Sequence, residues 1–447
     1  MADGTTLTFG SSGFTTDDSA DGLCAYLNAS PSPFHACESA ATLLEAAGFT
    51  RLREVDAWPT VRGRYYLIRA GSLVAWSTEH ATGATTPLRV VGAHTDSPNL
   101  RIKPRPDLAR AGWQLLGVEI YGGPLDNSWL DRDLGLSGRV ATRGADGLQT
   151  HLFRVDDPVL RVSQLAPHLD RSVRTDGLKL NEQQHLAPHW GLGNDPGDFR
   201  AYLAGEVGVR TEDVLGWDAM THDLTPARRT GRDRELVAGA RQDNLATSYA
   251  ATRALIAAVE VEPVQPVTPV IALFDHEEVG SVSDRGAASS LLPTTLERIV
   301  ITLGGGREDL HRALAGSVIA SGDMAHATHP NYAERHEPQH TIAMNGGPVL
   351  KINTNLRYAT DAVGAAHFQL ACDQAGVPCQ EFVVRTDLPC GSTVGPITSA
   401  LSGVTTVDFG APTLSMHSTR ELTGATDQAM YAAALACFLA PSLVSSL

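Results

Sequence analysis

The chain has 447 residues, of which 43% are hydrophobic and 19% charged, a composition typical of a globular protein with room for about two or three domains. Its net charge of −15 disfavours nucleic acid and anionic membranes as partners, because both need a basic face. No apolar run has the length of a membrane span, and the first residues, MADGTTLTFGSS, lack the basic cluster and apolar core of a signal peptide, so we predict a cytoplasmic protein.

The N-terminal part of the sequence predicts a tail, two helices and the first strands. Residues 1–20 are polar and rich in Gly, Ser and Thr, which is typical of a flexible tail. The stretch DGLCAYLNASPSPFHACESAATLLEAAGF predicts two helices that are interrupted by SPSPF and stopped by Gly48. GRYYLIRAGSLVAWST alternates like a β-hairpin, and LRVVGAHTDSP predicts a buried strand that runs into a polar loop.

The middle of the chain differs in texture from the two parts that flank it. Residues 100–232 contain short β-like runs separated by Gly, Asp and Asn turns, which predicts an inserted β-rich domain. After it, strand-like segments such as VTPVIALFDHEEVGS and VTTVDFGAP again alternate with helical sequence. We therefore predict an α/β fold with a central mixed β-sheet sandwiched by helices, in which residues 21–99 and 233–447 form one domain and residues 100–232 an insert.

The segment RHEPQH contains H-E-x-x-H, the spacing by which one helix offers two histidines to a zinc ion. His336 and His340 would need an unbroken helix between them, but Pro338 has no N–H group to give to the helical ladder. We therefore predict a polar loop here and expect the metal ligands elsewhere.

Five other segments bring acids or histidines to predicted strand ends: AHTDSP, ARQDNL, FDHEEVGS, SGDMAH and SMHSTRE. Each segment alone is weak evidence, since a helix-capping acid or a structural histidine is an equally good interpretation. Together they supply the nitrogen and oxygen donors that zinc accepts, on elements whose carboxyl ends can converge. The candidate ligands are His94, Asp243, Glu278, Asp323 and His417.

The charges of these candidates fit a pair of metal ions. Two divalent ions carry +4, the carboxylates of Asp243, Glu278 and Asp323 carry −3, and a bridging hydroxide would supply the last negative charge. The sum is zero, so the set predicts a neutral dinuclear hydrolytic centre.

Two further acids have predicted roles beside the ligands. Asp96 lies two residues after His94 on an extended backbone, so its carboxylate faces the same side and can orient the imidazole, although a turn residue before Pro98 is the alternative. Glu277 and Glu278 are adjacent and point in different directions, which suits one carboxylate to bind metal and the other to move a proton.

Seven motifs, in this order, resemble the aspartyl aminopeptidase family of di-zinc metallopeptidases: YLNASPSPFHA, VGAHTDSPNLRIKP, SWLDRDLGLSGRV, FDHEEVGSVSDRGAASS, SGDMAHATHPNY, CGSTVGP and SMHSTRE. The likeness runs from about residue 22 to the C-terminus. It implies that the five candidate ligands bind two zinc ions, with Asp243 as the bridge and Glu277 as the general base. The implied reaction releases N-terminal residues, Asp or Glu, from peptides with a free N-terminus by means of a zinc-activated hydroxide.

The resemblance also implies an assembly and a substrate pocket. In the family the insert mediates dimerisation, and dimers build a tetrahedral dodecamer. A histidine of the insert reaches a neighbouring subunit's active site; the matching residue is His168 in LAPHLDRS, although Pro167 before it replaces a bulkier apolar residue of the family. Lys351 in VLKINTNLRY matches the family's candidate for binding the substrate's acidic side chain, and either His336 or His340 could touch substrate.

Lys351 is also unusual within this sequence. Only Lys103, Lys179 and Lys351 are lysine among 35 basic residues, and a rare lysine can mark a site that needs a compact ammonium group. The alternative is a surface charge at the end of a strand, since lysine is usually exposed.

Two other functions remain open at the level of sequence. Another dinuclear zinc hydrolase, such as a carboxypeptidase or a deacylase, could use the same metal ligands on a different substrate. A non-catalytic scaffold could use metal only to hold an assembly together. Glu277 argues against the scaffold, because a structural metal site is closed and needs no additional carboxylate beside it.

Overall fold

The computed structural model describes residues 13–442. Its strands are β1 (Thr50–Arg51), β2 (Arg64–Arg69), β3 (Ser72–Ser77), β4 (Leu88–His94), β5 (Asn99–Arg110), β6 (Trp113–Tyr121), β7 (Leu134–Gly144), β8 (Gly147–Leu160), β9 (His189–Leu192), β10 (Val214–Asp223), β11 (Arg228–Thr230), β12 (Leu236–Gly239), β13 (Thr268–Phe274), β14 (Val318–Gly322), β15 (Ala325–His326), β16 (Val349–Ile352), β17 (Gln380–Val383), β18 (Thr405–Gly410), β19 (Pro412–Leu414) and β20 (Glu421–Gly424). Its helices are α1 (Thr16–Ala29), α2 (Pro33–Ala46), α3 (Val173–Asp176), α4 (Glu182–His185), α5 (Phe199–Val207), α6 (Gln242–Val259), α7 (Leu291–Thr302), α8 (Arg307–Ala315), α9 (Ala362–Ala375), α10 (Val394–Ser402) and α11 (Ala425–Leu439).

A mixed sheet of nine strands forms the centre of the molecule. The strand order is β1-β2-β3-β13-β4-β14-β18-β16-β17, and β13, β4, β14 and β18 run parallel to one another. These central strands are buried along their whole length, because helices cover both faces of the sheet. Their sequences are accordingly continuous apolar runs rather than alternating ones.

Helices sandwich this sheet, as predicted for the fold class. On one face α1, α2, α6, α9 and α11 share a hydrophobic core that includes Leu23, Leu44 and Phe368. On the other face α7, α8 and α10 contribute Leu296, Leu310 and Val394 to a second core. α6 is rich in Ala and buried around most of its circumference, which fits a helix enclosed between the sheet and α11.

The insert is a separate layer built on six antiparallel strands. Their order is β8-β7-β10-β5-β6-β9, and apolar residues from β5 to β8 pack against α5 in a core of their own. The sheet begins at Asn99 and its last strand ends at Asp223. β11, which the sequence places in the insert, instead joins β12, β20, β19 and β15 in a small sheet beside the central one. The insert is therefore shorter than the predicted range of 100–232 at its C-terminal end.

The predicted N-terminal tail is also too long. α1 begins at Thr16, the side chain of Thr15 accepts a hydrogen bond from the N–H of Asp18, and Ser19 and Ala20 are buried in the helix. Residues 1–12 of the predicted tail lie outside the described residues. The polar composition that suggests a tail here comes partly from helix-capping and first-turn residues, which are polar for a different reason.

Other sequence predictions agree with the structure. The two N-terminal helices are separated at Ser30–Ser32, and β2 and β3 form the predicted hairpin. The H-E-x-x-H segment is not helical: a short 3-10 turn ends at Arg335, and His336 is extended. Within residues 13–442 no helix is both long and apolar enough to cross a bilayer.

Candidate metal centre

Four of the predicted site residues follow three neighbouring strands. His94 is the last residue of β4, Asp323 comes directly after β14, and Glu277 and Glu278 lie on a short turn after β13. Because β13, β4 and β14 are adjacent and parallel, their carboxyl ends meet at one edge of the sheet. The topology of the sheet therefore brings these four side chains together.

Asp243 stands between the two histidines of the site. Its Oδ1 lies 3.3 Å from Nε2 of His94, and its Oδ2 lies 3.5 Å from Nε2 of His417. Asp243 comes from the beginning of α6, and His417 from the loop between β19 and β20. One carboxylate thus offers one oxygen to each side, which is the arrangement of a ligand shared by two cations.

The remaining carboxylates complete two groups around the histidines. Asp323 Oδ1 lies 3.6 Å from Nε2 of His94, and Glu278 Oε2 lies 3.3 Å from Nε2 of His417. In each group, His94–Asp243–Asp323 and Asp243–Glu278–His417, the candidate ligand atoms all lie within 4.8 Å of one another. The structure therefore brings all five predicted ligands together in two groups that share Asp243.

The side chains of these two groups form a ring of nitrogen and oxygen donors that fits divalent cations. Asp243 Oδ1 and Glu278 Oε1 are buried and have no hydrogen-bond donor among the described residues. Burial alone would lower the pKa of His94, but contact with the carboxylates of Asp243 and Asp323 holds it well above its usual value. Burial likewise opposes protonation of His417, yet Asp243 raises its pKa to about 10. A ring that binds protons this strongly also attracts metal cations, which replace those protons on binding.

Glu277 belongs to neither of the two groups that share Asp243, but it forms a third group of possible ligands with His94 and Glu278. Its Oε2 is 3.9 Å from Nε2 of His94. Burial, with added repulsion from Asp323 and Asp96, raises the pKa of Glu277 to about 8 although His94 opposes the rise. The side chain can therefore exist with or without its proton near neutral pH, which is the property that a general base and acid needs.

Asp96 lies beside His94, as predicted, and has a second role that the spacing did not predict. Nδ1 of His94 lies 2.9 Å from the main-chain oxygen of Asp96 and 3.5 Å from its carboxylate, so the main chain provides the closer partner. The carboxylate accepts the N–H groups of Glu277 and Glu278, each at 3.1 Å, and the hydroxyl of Tyr121 at 2.6 Å. Asp96 therefore holds the turn that carries both glutamates.

Glu421 is a site residue that the sequence reasoning missed. Its side chain is buried, and it accepts the N–H of Asp243 at Oε2 (2.9 Å) and the N–H of His417 at Oε1 (2.8 Å). One carboxylate thus fixes the backbone of the shared ligand and of the second histidine. The residue stands at the end of the SMHSTRE motif, which was the only available signal.

A segment of the insert also reaches the metal centre. Tyr121 donates to Asp96, and the main-chain oxygen of Gly123 accepts a hydrogen bond from Nδ1 of His417 at 2.7 Å. Gly122 has a positive φ of 71°, and a Cβ atom there would lie 3.2 Å from Cβ of Glu278. The close approach therefore needs glycine, and the YGG sequence of the insert positions ligands on both sides of the site.

Lys351 is buried, so the alternative of a surface charge is wrong. It lies on β16, and its Nζ is 3.5 Å from Oδ2 of Asp323 and 3.1 Å from the main-chain oxygen of Met324. The ring of Tyr358 has its centre 5.0 Å from the same ammonium group. A buried cation therefore stands next to the metal centre, directly behind one of the carboxylate ligands.

Three other predicted site residues lie outside the cluster in the single chain. His168 is exposed, in the insert segment between β8 and β9. His336 accepts the N–H of His329 at its Nε2, and His340 contacts the side chain of Glu337. Among residues 13–442, the groups able to hold a metal ion include none of the three.

Comparison with known sequences gives matches along nearly the whole chain. A family model described as aminopeptidase I zinc metalloprotease (M18) matches residues 26–439. A probable M18 family aminopeptidase 2 from Streptomyces coelicolor is 54% identical over 423 residues, which cover 94% of this chain and 97% of the relative. A protein of the same description from Mycobacterium leprae is 53% identical over 428 residues, covering 95% and 99% of the two chains.

Solved structures match the fold over a similar length. Ape4, in a cryo-EM structure of its complex with Nbr1, has a TM-score of 0.90 at 34% identity and covers 95% of this chain and 86% of its own. The crystal structure of prApe1 has a TM-score of 0.89 at 28% identity, with coverage of 96% and 95%. A structure described as the S. cerevesiae mApe1 dodecamer has a TM-score of 0.82 at 26% identity, with coverage of 95% and 97%.

Proposed function

The chain belongs to the M18 family of zinc aminopeptidases, and from this membership we propose that it releases N-terminal Asp or Glu from peptides with the help of two zinc ions. The observation that carries the proposal is the position of Asp243, which offers one oxygen to a group with His94 and the other to a group with His417. Two histidines and three carboxylates are a ligand set that zinc accepts.

The two groups divide the ligands between the proposed ions. His94 and Asp323 would hold one ion, His417 and Glu278 the other, and Asp243 would bridge them. When bound, zinc supplies a Lewis acid that activates water and polarises the scissile carbonyl. The main-chain contact of Asp96 to His94 Nδ1 leaves Nε2 directed at the ring, so the orientation of the imidazole is fixed before metal arrives.

Glu277 is the residue that we assign to proton transfer. It stands within reach of both groups, and its backbone is held by Asp96 rather than by a metal ligand. In the proposed reaction it takes a proton from the attacking water and returns it to the departing amine. The pKa of about 8, raised mainly by burial, is close enough to neutral pH for both transfers.

The preference for an acidic N-terminal residue rests on Lys351. Its ammonium group is buried next to Asp323, where it can meet a substrate side chain close to the metal centre. A buried cation that meets a substrate carboxylate gives a charge-assisted hydrogen bond, whereas the corresponding amide offers only a neutral acceptor and a weaker bond. We therefore expect Asp to be preferred over Asn, and Glu over Gln, in otherwise identical peptides.

The matched pairs Asp/Asn and Glu/Gln provide the test of this specificity. Lys351→Met should lower the ratio of kcat/KM for Asp over Asn substrates by about 10- to 100-fold, the worth of one or two charge-assisted hydrogen bonds. Lys103→Met, which removes a lysine that contacts only Gln183 in the insert, is the control and should leave the ratio unchanged. An equal loss on both members of each pair would show that Lys351 supports Asp323 and not recognition. Chelation should abolish hydrolysis of every substrate, and added zinc should restore it.

We also propose that the enzyme is cytoplasmic and works as a dimer-based assembly, a tetrahedral dodecamer, in which His168 serves a neighbouring subunit. The S. cerevesiae relative mApe1 is described as a dodecamer. Leu165 and Leu169 flank His168 and are 59% and 77% exposed in the single chain. Leucines on both sides of His168 give this segment an apolar surface that a neighbouring subunit can cover.

A further inference from the structure

A cavity of about 310 Å³ lies between the insert and the catalytic domain, and none of the five candidate metal ligands lines it. Arg154 and His222 line it from the insert, while Leu27 and Arg241 line it from the catalytic domain. One water molecule needs only about 10–15 Å³ of such space, so the cavity has room for a small organic molecule.

Arg241 gives the cavity a cation without a carboxylate partner. Its Nε and one terminal nitrogen donate to the main-chain oxygens of Ser30 and Leu27, at 3.0 and 3.2 Å. The two acids of the cavity pair with other arginines: Asp223 with Arg132 at 2.6 Å, and Asp156 with Arg154 at 2.8 Å. The position of Arg241 favours an anionic group on a bound molecule.

His222 lines the same cavity and, within residues 13–442, has one ring nitrogen without a hydrogen-bond partner. Only 3% of the residue is exposed, its Nε2 faces Oδ1 of Asp156 at 3.3 Å, and its Nδ1 has no hydrogen-bond partner among the described residues. Burial, with repulsion from Arg241, holds the imidazole pKa near 3, so the ring is neutral. With Nε2–H directed at the carboxylate, Nδ1 is an acceptor that needs a donor.

The cation of Arg241, the acceptor nitrogen of His222 and the residues that line the cavity together indicate one class of ligand. A free α-amino acid carries a carboxylate for Arg241 and an ammonium group for Nδ1 of His222. The apolar lining favours an apolar side chain; it is formed by Leu27, Pro31, Leu224, Pro226, Ala227 and Ala240. We propose that this cavity is a second binding site, separate from the metal centre, for a free α-amino acid with an apolar side chain. The proposal depends neither on the acidic preference nor on the number of zinc ions.

The first experiment locates the ligand directly. Crystals of the zinc-loaded enzyme are soaked with L-selenomethionine, an apolar amino acid whose selenium gives an anomalous signal. The expected result is a selenium peak in the cavity with the carboxylate on Arg241. A peak only at the metal centre, or no peak with the cavity filled by water, would overturn the proposal.

The second experiment tests the chemistry in solution and needs no mutation. Calorimetry compares L-leucine with 4-methylpentanoate, which lacks the amine, and with 3-methylbutylamine, which lacks the carboxylate. Each analogue should bind about 10- to 100-fold more weakly than leucine, because each loses a hydrogen bond to a buried polar group. Equal affinity for the three compounds would contradict the assignment.

Variants then assign the binding to this cavity rather than to the active site. Arg241→Gln and His222→Phe should each weaken leucine by at least about tenfold, while Arg241→Lys, which keeps the charge, should retain more affinity than Arg241→Gln. Arg228→Gln, at an exposed position on β11, is the control and should bind leucine as the wild type does. Unchanged affinity in both cavity variants would refute the site.

Discussion

Replacing Glu421 by Gln tests whether a buried carboxylate outside the metal ligands sets the affinity of the site for zinc. Both oxygens of Glu421 accept main-chain N–H groups, one from Asp243 and one from His417, at 2.9 and 2.8 Å. In Glu421→Gln one oxygen becomes an NH₂ group, which faces an N–H donor and cannot accept it. Either Asp243 or His417 then loses its main-chain support.

The size of the effect follows from the bond that is lost. A hydrogen bond to a charged acceptor contributes about 1.5–3 kcal/mol, and leaving a buried N–H group without a partner costs a similar amount. If this hydrogen bond stabilises the metal-bound position of Asp243 or His417, its loss should lower zinc affinity by about 10- to 100-fold, since 1.4 kcal/mol corresponds to a factor of ten. The measurement is zinc content at equilibrium with a series of chelator concentrations, which needs no activity assay.

Asp427→Asn is the matched control for this experiment. Asp427 is also a buried carboxylate that accepts two main-chain N–H groups, from Asn345 at 2.7 Å and Gly347 at 2.9 Å. It holds the start of α11 against a loop and touches no metal ligand, so its replacement should cost stability without changing zinc affinity. If Glu421→Gln behaves as Asp427→Asn does, losing stability in the metal-free protein but no zinc affinity, then Glu421 supports only the fold.

Three further predictions follow from the same geometry. Glu277→Gln should keep its metal and lose about two to four orders of magnitude in turnover, the usual worth of general acid–base catalysis. Glu278→Gln should lose metal as well as turnover. Metal analysis and steady-state kinetics check both variants, and exchanged phenotypes would reverse the two roles. Co-refolding equal amounts of the inactive variants His168→Ala and Glu277→Ala should restore roughly a quarter of wild-type activity, since half of randomly formed dimers are mixed and each has one intact site of two. No recovery, with mixed dimers shown by mass spectrometry, would exclude a role of His168 in a partner's site. Burial is the main cause that lowers the pKa of His35 to about 4. Because the unfolded chain takes up this proton first, the free energy of unfolding should fall by about 2–3 kcal/mol as the pH drops from about 6.5 towards 4. His35→Gln should flatten that part of the pH profile in urea unfolding, and parallel profiles for variant and wild type would show that the histidine is not responsible.

The sequence is sufficient to nominate the five candidate metal ligands, because their signal is local. Each ligand lies at the end of a recognisable strand or in a short polar motif, and the sheet topology brings such ends together without further information. His94, Asp243, Glu278, Asp323 and His417 are therefore found from motif, charge and resemblance alone. The fold class was predictable for the same reason, since buried parallel strands and amphipathic helices have distinct patterns.

The supporting residues could not be found in this way. Glu421 acts through hydrogen bonds to the backbone of other residues, and a carboxylate used for this purpose has the same sequence signature as any other acid. Tyr121 reaches Asp96 from another domain, a contact that no periodicity encodes. Asp96 shows the same limit. Spacing places it near His94, but only the structure shows that its carboxylate also holds the turn of Glu277 and Glu278.

Burial decides the questions that composition left open. Lys351 has the same sequence signature as an exposed strand-end lysine, and its burial beside Asp323 depends on how β16 pairs within the sheet. The carboxypeptidase and deacylase alternatives could not be separated by metal ligands, and the match to the M18 family answers them. The proposed role of His168 lies in the active site of a second subunit, which the single chain does not contain.

The contacts of the YGG segment connect the insert directly to the residues of the candidate metal centre. The same short stretch of chain supports Asp96 on one side of the site and His417 on the other, through Tyr121 and Gly123. Next to it, Leu125 N–H donates to the main-chain oxygen of His417 at 3.0 Å. Any rotation of the insert against the central sheet would pull on ligands of both groups at once. A hinge motion between these two domains would therefore disturb the geometry of both groups of candidate ligands.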